Sequence, residues 1–300
     1  MRITKSFAET RLVASGSVGL VPTMGFLHEG HLSLIEMARE SSDTVVMSLF
    51  VNPLQFDRED DLARYPRDVE RDVELAAAAG ADIVFAPDVD ETYPQEQLAR
   101  VNVTELSDEL EGPNRPGHFE GVATVVAKLL AGIQPDQSFF GRKDAQQLAI
   151  IRRMAVDLSF PGTIVGGPIV REGDGLALSS RNIFLSAEKR RAALALSRGL
   201  GVAADLVEAG EADGEVIGAV VLGEIDAEPL LEVEYVTLAS QDLVQPLAAL
   251  DRPAFLALAA WAGKTRLIDN VHFDAVEGGF VADRGRRLED ASVLYATGEG

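Results

Sequence analysis

The sequence predicts an α/β fold, a doubly wound and mostly parallel sheet followed by a smaller C-terminal α+β domain. Up to Val170, short β-branched apolar runs alternate with segments of helical period. After about Ser180 the alternation stops, and one long amphipathic helix precedes strand-like runs joined by short connections. A chain of 300 residues with 47% hydrophobic content is long enough for one large core or two modest ones.

The elements follow in order. Ser17 to Val21 reads as a strand, His31 to Glu40 as a helix, and Thr44 to Val51 as a second β-branched run. Asp68 to Ala79 is helical and closed by Gly80, and Asp82 to Ala86 is again strand-like. Gly121 to Ala131 reads as a helix, Gln137 to Phe140 as a short strand, Asp144 to Asp157 as a helix and Ile164 to Val170 as the last strand of the series. In such sheets ligands bind beyond the strand C-termini. Ala187 to Ala209 is a long amphipathic helix, and Leu231 to Leu238, Ala254 to Trp261 and Thr265 to Phe273 are strands of an antiparallel sheet. The expected division is a first domain over 1–177, a small domain over 178–276, and a loosely held polar tail over 277–300.

Composition excludes several classes of function. Lys+Arg 27 against Asp+Glu 48 gives a net charge of -21, which repels nucleic acid and anionic membranes. Cysteine is absent, so disulfides, thiolate metal sites and cysteine nucleophiles are excluded, and a reducing cytoplasm is the expected compartment. The most apolar stretch, Pro246 to Ala262, is broken by Asp251, Arg252 and Pro253 and cannot span a bilayer. Met1 to Ser6 lacks the apolar core of a secretory signal. A phosphate-bearing substrate would need a local basic cluster, and basic residues do cluster at Arg142-Lys143 and near Arg171 and Arg181; the bland alternative is that the acidity only keeps the protein soluble.

Four segments carry candidate chemistry. The first is Pro22-Thr23-Met24-Gly25-Phe26-Leu27-His28-Glu29-Gly30-His31, at a strand-to-helix turn. Its glycines permit close backbone approach to a ligand, and the helix N-terminus attracts anions. His28 and His31 share a face there and can donate to a phosphate; alternatively they simply cap the helix. The second is Phe139-Phe140-Gly141-Arg142-Lys143-Asp144-Ala145-Gln146-Gln147, where a lysine at a helix start conflicts with the helix dipole unless an anion lies beside it. The bland alternative is a solvated surface lysine. The third runs from Val170 to Asn182 and contains Leu178-Ser179-Ser180-Arg181, two hydroxyls and a planar guanidinium suited to phosphate oxygens. The fourth is Phe50-Val51-Asn52-Pro53-Leu54-Gln55-Phe56, which places Gln55 beyond a strand end to hydrogen-bond a small polar substrate without adding charge.

The His-x-Gly-His segment resembles the nucleotide-binding motif of the class I aminoacyl-tRNA synthetase and nucleotidylyltransferase superfamily. Together with Asp61 to Arg67 (DLARYPR), Leu110 to Val126 (LEGPNRPGHFEGVATVV) and Thr265 to Asn270, the four segments are similar in order and spacing to the pantoate–β-alanine ligase (pantothenate synthetase) family. The resemblance implies a Rossmann-like fold and ATP-dependent condensation of pantoate with β-alanine through a pantoyl adenylate, releasing AMP and pyrophosphate. It implies an ATP site formed by Met24, Gly25, Phe26, Leu27, His28, Glu29, Gly30 and His31, by Gly141, Arg142, Lys143 and Asp144, and by Val170, Leu178, Ser179, Ser180 and Arg181. His28, His31, Lys143, Ser179, Ser180 and Arg181 would carry the chemistry, Gln55 and Gln147 would hold pantoate, and Gln55 would also border the β-alanine site. Asn52, Tyr65, Asp72, Glu111 and Arg115 are further lining candidates. The family pattern also implies magnesium carried on ATP, no protein-held metal, and a homodimer. Two departures stand out: Arg142 replaces a frequent glutamate and is expected to add positive charge beside the phosphates, and Leu178 replaces a common methionine. Another nucleotidylyltransferase on the same fold, and a nucleotide sensor without catalysis, remain as alternatives. The second would be expected to have lost His31 or Lys143, and both are present.

Overall fold

A computed structural model describes residues 1–56 and 59–295. The chain divides into two compact units. The first comprises Met1–Gly141 and Gln146–Gly167, and the second Arg142–Ala145 and Pro168–Gly300.

In the first unit the elements are β1 (Arg2–Thr4), α1 (Phe7–Val13), β2 (Val18–Thr23), α2 (Glu29–Ser41), β3 (Thr44–Leu49), α3 (Glu59–Arg64), α4 (Val69–Ala78), β4 (Ile83–Phe85), α5 (Val89–Thr92), α6 (His118–Ile133), β5 (Gln137–Gly141), α7 (Ala145–Asp157) and β6 (Thr163–Gly167). The six strands form one sheet in the order β1-β4-β3-β2-β5-β6, and every pairing is parallel. The order reverses at β2, which lies between β3 and β5; this is the switch point where doubly wound sheets open a ligand crevice. Val45, Val46 and Met47 in β3 and Leu20 and Val21 in β2 are fully buried, as strands covered on both faces require. Helix α2 lays Leu34, Ile35 and Ala38 against Val21, Val45 and Met47. The side chain of Asp61, which opens the DLARYPR segment, lies outside the described residues.

The second unit contains β7 (Val170–Arg171), α8 (Ala187–Glu208), α9 (Gly214–Asp226), β8 (Leu231–Ser240), β9 (Ala254–Ala262), β10 (Thr265–Val276), β11 (Gly279–Asp283) and β12 (Arg286–Arg287). Strands β8 to β11 form an antiparallel sheet in the order β11-β10-β9-β8. Leu196, Leu200 and Ala203 of α8 and Ile217 and Val221 of α9 pack with Leu256, Leu258 and Phe273 of the sheet. The anticipated fold class is therefore present, and the structure corrects three details within it.

The run Ile164 to Val170 is not one strand. Pro168 has no N–H to donate to the ladder, so β6 ends at Gly167 and β7 pairs with β12 instead. Helix α9 is absent from the sequence reading because Gly214, Gly218 and Gly223 weaken its intrinsic helix signal. Its start is fixed by Asp213, whose Oδ1 accepts the N–H groups of Glu215 and Val216 at 2.8 and 3.2 Å. The segment expected to be a loose tail is built into the unit: β11 pairs with β10, β12 pairs with β7, and Phe280 and Ala282 pack on the second core. Residues 296–300 lie outside the described residues.

Candidate functional site

The loop from Met24 to His28 leaves the C-terminal end of β2 at the switch point and enters α2. Gly25 has φ 88° and Phe26 φ 53°, so the turn passes through two left-handed residues. A Cβ on Gly25 would stand 2.7 Å from Leu49 Cδ1 and 2.8 Å from Asp72 Oδ2, which leaves glycine as the residue that fits. Asp72, buried in α4, accepts the N–H of Phe26 on one carboxylate oxygen and that of Leu27 on the other, both at 2.7 Å. Burial raises its pKa above the usual carboxylate value, opposed by the two N–H groups and by Arg71. Arg71 also donates to Leu27 O at 3.1 Å and stacks over the Phe26 ring at 5.4 Å. The loop is thus clasped from α4.

His28 is the N-cap of α2, and its Nδ1 accepts Gly30 N–H at 3.1 Å. His31 Nδ1 accepts His28 N–H at 3.3 Å, and the two rings lie 4.1 Å apart. A ring nitrogen that accepts carries no proton, so in each neutral imidazole the N–H sits at Nε2. Capping therefore uses only one nitrogen of each ring. The backbone consumes one nitrogen of each ring and thereby fixes the other as a donor, at a helix N-terminus that favours anions.

Beyond β3 a single 3₁₀ turn, Pro53–Gln55, places Gln55. Asn52 Nδ2 donates to Gln55 Oε1 at 3.0 Å and to Gly121 O at 3.1 Å, and Tyr93 Oη donates to Asn52 Oδ1 at 2.8 Å. The N-terminus of α6 presses close to this turn, since a Cβ on Gly121 would lie 2.3 Å from Leu54 O. Arg115 Nη1 donates to His118 Nε2 at 3.0 Å, because arginine can only donate. His118 Nδ1 then carries the ring proton and donates to Gln55 O at 2.8 Å. Gln55 is held at its carbonyl oxygen and its Oε1, and among the described residues its amide nitrogen has no protein partner.

The neighbouring glutamines of α7 divide their work. Gln146 is buried, donates to Leu106 O and Glu109 O at 2.8 and 2.7 Å, and accepts Glu111 N–H at 3.0 Å. Gln147 is half-buried, and among the described residues its amide has no partner. Of the two, Gln147 retains hydrogen-bonding capacity for a ligand.

In the second unit, Arg142, Lys143 and Asp144 form a 3₁₀ turn. Asn270 Nδ2 carries this turn by donating to Arg142 O at 3.1 Å and Lys143 O at 2.7 Å. Among the described residues Lys143 Nζ has no hydrogen-bond or ion-pair partner. Arg142 corrects the expectation of added charge beside a phosphate: its Nη1 pairs with Asp274 at 3.1 Å and Asp283 at 2.9 Å. Arg171 is buried in a bidentate pair with Asp269 at 2.7 and 3.0 Å, and is likewise not available to a phosphate. Val170 and Leu178 are buried and bonded to each other through Leu178 N–H and Val170 O at 3.0 Å, so neither side chain faces solvent. Ser179 caps the turn Ser180–Phe184, accepting Arg181 N–H at 3.3 Å, and Arg181 is exposed. The sequence reading missed Glu172, Asp269 and Asn270 as organisers of these segments. The signals for them were the Val170 to Asn182 segment, which contains Glu172, and the Thr265 to Asn270 motif, which contains Asp269 and Asn270; neither names a contact.

A parallel sheet with its switch point opening onto a clasped loop, a helix N-terminus and two imidazole donors defines a nucleotide-binding α/β protein of the doubly wound class. Residues 2–272 match the family model described as Pantoate-beta-alanine ligase. The pantothenate synthetase of Moorella thermoacetica is 54% identical over 255 residues, covering 85% of this chain and 90% of that one. The crystal structure of pantothenate synthetase from Thermus thermophilus superposes with a TM-score of 0.86 at 45% identity, covering 90% of this chain and 98% of that chain. A pantoate-beta-alanine ligase from Francisella tularensis, complexed with beta-gamma ATP and beta-alanine, superposes with a TM-score of 0.72 at 31% identity over 90% and 97% of the two chains. The chain belongs to the pantoate-β-alanine ligase family.

Proposed function

We infer that this chain condenses pantoate with β-alanine at the expense of ATP, through a pantoyl adenylate. Family membership over 2–272 supplies the reaction. The structural observation that best supports it is the clasped loop after β2, with both imidazoles presenting Nε2–H at the start of α2.

A free carboxylate is a poor acyl donor because its leaving group would be oxide. In the first step a pantoate carboxylate oxygen bonds to the α-phosphorus, and the bond from that phosphorus to the bridging oxygen breaks, releasing pyrophosphate. In the second step the neutral amine of β-alanine bonds to the acyl carbon, the carbon–oxygen bond to AMP breaks, and the amine's surplus proton passes to solvent. No covalent enzyme intermediate is required, so a cysteine-free chain loses nothing. Catalysis consists of positioning and of hydrogen bonds aimed at phosphate charge.

We assign Met24 to His31 of the first unit to the nucleotide, with His28 and His31 as donors to its phosphates, and Gln55 and Gln147 to pantoate. In the second unit we assign Lys143, Ser179, Ser180 and Arg181 to the phosphate chain. Gly141 contributes through its position at the end of β5, Asp144 through its position in the turn, and Val170 and Leu178 through backbone only. Magnesium enters as part of the Mg–ATP substrate, carried mainly on the nucleotide's phosphates. A cytoplasmic homodimer belongs to the same reading and rests on the family resemblance, with the cysteine-free composition suiting a reducing compartment.

The test is the order of half-reactions. With ATP, magnesium and pantoate alone, labelled pyrophosphate should exchange into ATP, and β-alanine should then release AMP in step with amide formation. Stoichiometric ADP, or exchange that ignores pantoate, overturns the reading.

A further inference from the structure

The family match ends at residue 272, yet the chain continues through the ordered elements β11, β12 and the turn Val293–Tyr295. This segment makes two separate attachments within the second unit. At one end, Asp274 and Asp283, diagonal neighbours across the β10–β11 pairing, where Asp283 stands opposite His272 and Asp274 opposite Val281, both bind Arg142 Nη1, at the foot of the turn that presents Lys143. Gln241 Nε2 donates to Asp274 Oδ1 at 3.0 Å and fixes that carboxylate.

The second attachment reaches the segment from Val170 to Asn182. Arg286 and Arg287 pair in parallel with Val170 and Arg171, Arg171 Nε donates to Arg284 O at 2.7 Å, and Leu288 N–H donates to Arg171 O at 2.9 Å. Tyr295 Oη donates to Glu172 Oε1 at 2.9 Å and accepts from Arg190 Nη1 at 2.7 Å. Glu172 is buried, forms a salt bridge with Arg190 at 2.7 Å, and accepts Asn182 Nδ2 at 2.9 Å. Asn182 closes the turn that contains Ser180 and Arg181, also donating to Ala177 O at 3.0 Å. Both segments of this unit assigned to the phosphate chain are therefore tied to the same C-terminal strap.

We propose that residues 274–295, which follow the residues matched by the family model, form a strap whose Asp274, Asp283 and Tyr295 are positioning residues for the nucleotide half-reaction. Asp274 and Asp283 act through Arg142 on the Lys143 turn, and Tyr295 acts through Glu172 and Asn182 on the Ser180–Arg181 turn. The proposal rests on the assignment of those two turns to ATP. Wild-type enzyme is therefore first assayed for pantoate-dependent pyrophosphate exchange, and failure there rejects the assignment rather than the strap.

The test compares Asp274→Asn/Asp283→Asn, Tyr295→Phe, Arg142→Ala and Arg142→Lys in the full chain. Coupled networks of this kind are worth a factor of about three to thirty, and KM for ATP should rise by that much in the double Asp variant and in Arg142→Ala, with KM for pantoate within about twofold. Tyr295→Phe should raise the same KM by a smaller factor, Arg142→Lys should recover part of the loss, and combining Arg142→Ala with the double Asp variant should add nothing further. KM for ATP within about twofold of wild type in these variants, or a parallel rise for both substrates, overturns the proposal and leaves the strap purely structural. Should a variant fold poorly, hydrogen exchange of the wild-type protein decides. A non-hydrolysable ATP analogue should slow exchange in 279–288 together with 142–144 and 170–182, and unchanged exchange in 279–288 overturns the coupling.

Discussion

Lys143 carries an ammonium that none of the described residues neutralises, on a turn whose carbonyls are held by Asn270. An arginine one position earlier is spent on two carboxylates, so residue type alone does not separate the structural cation from the available one. The same distinction recurs between Gln146, bonded on both sides, and Gln147. Arg171, like Arg142 and Gln146, is committed to protein partners, in its case Asp269. Removing a group aimed at developing charge costs about 10²–10³ in turnover, and Lys143→Ala should lose that much of the pyrophosphate exchange rate. Its melting temperature should stay within about 1 °C of wild type, because no partner among the described residues is left behind. Turnover near wild type in this variant would remove Lys143 from the mechanism.

At the scale of elements, the short loop assigned to the nucleotide is held in shape by a helix from elsewhere in the chain. Asp72 on α4 satisfies the N–H groups of Phe26 and Leu27, which a left-handed pair of residues leaves pointing away from any strand or helix partner. In Asp72→Asn one of those N–H groups would face an amide N–H instead of an oxygen. An unsatisfied buried donor of this kind costs about 1–3 kcal/mol, and the variant should melt correspondingly lower in thermal unfolding followed by circular dichroism. Exchange activity should fall more than tenfold, since the imidazole pair of α2 is placed by this loop. An Asp72→Asn enzyme with full exchange activity would show that the clasp does not set the geometry of His28 and His31.

On the scale of the whole molecule, the two compact units carry different burdens. The first presents the crevice of the parallel sheet, while the second buries polar groups that respond to acid. His272 lies on β10 with its ring buried; burial first, and the Arg142 charge second, hold its pKa down to about 4, against a partial opposing effect from its bond to Arg142 O. Unfolded, the same ring titrates at its ordinary value of 6.5. Between those values the unfolded chain binds the extra proton, so stability is complete above 6.5 and is lost as pH falls toward 4. The shift corresponds to about 3 kcal/mol across that window. Urea midpoints measured from pH 4.5 to 7.5 should therefore rise with pH, and His272→Gln should flatten much of the slope whatever its own cost. A slope unchanged in that variant would assign the pH dependence to other groups.

The sequence by itself determined the class of fold, the positions of most strands and helices, and the segments where phosphate chemistry was to be sought. These features follow from periodicity, glycine placement and the rarity of basic residues, all of which are local. The pairing of Asp72 with the Phe26–Leu27 backbone, of Asp269 with Arg171, and of Asn270 with the Lys143 turn joins residues 46, 98 and 127 positions apart, and no local pattern encodes such contacts. Gly, Arg and Asp from 277 onward read as a loose tail because short strands with little apolar alternation resemble coil; only the sheet edge offered by β10 and the free side of β7 gives them partners. Tertiary structure also decided which member of each like pair is available to a ligand: Lys143 rather than Arg142, and Gln147 rather than Gln146. The physical reason is that a side chain's availability depends on whether its hydrogen bonds are already satisfied, and that is settled by neighbours brought close in space.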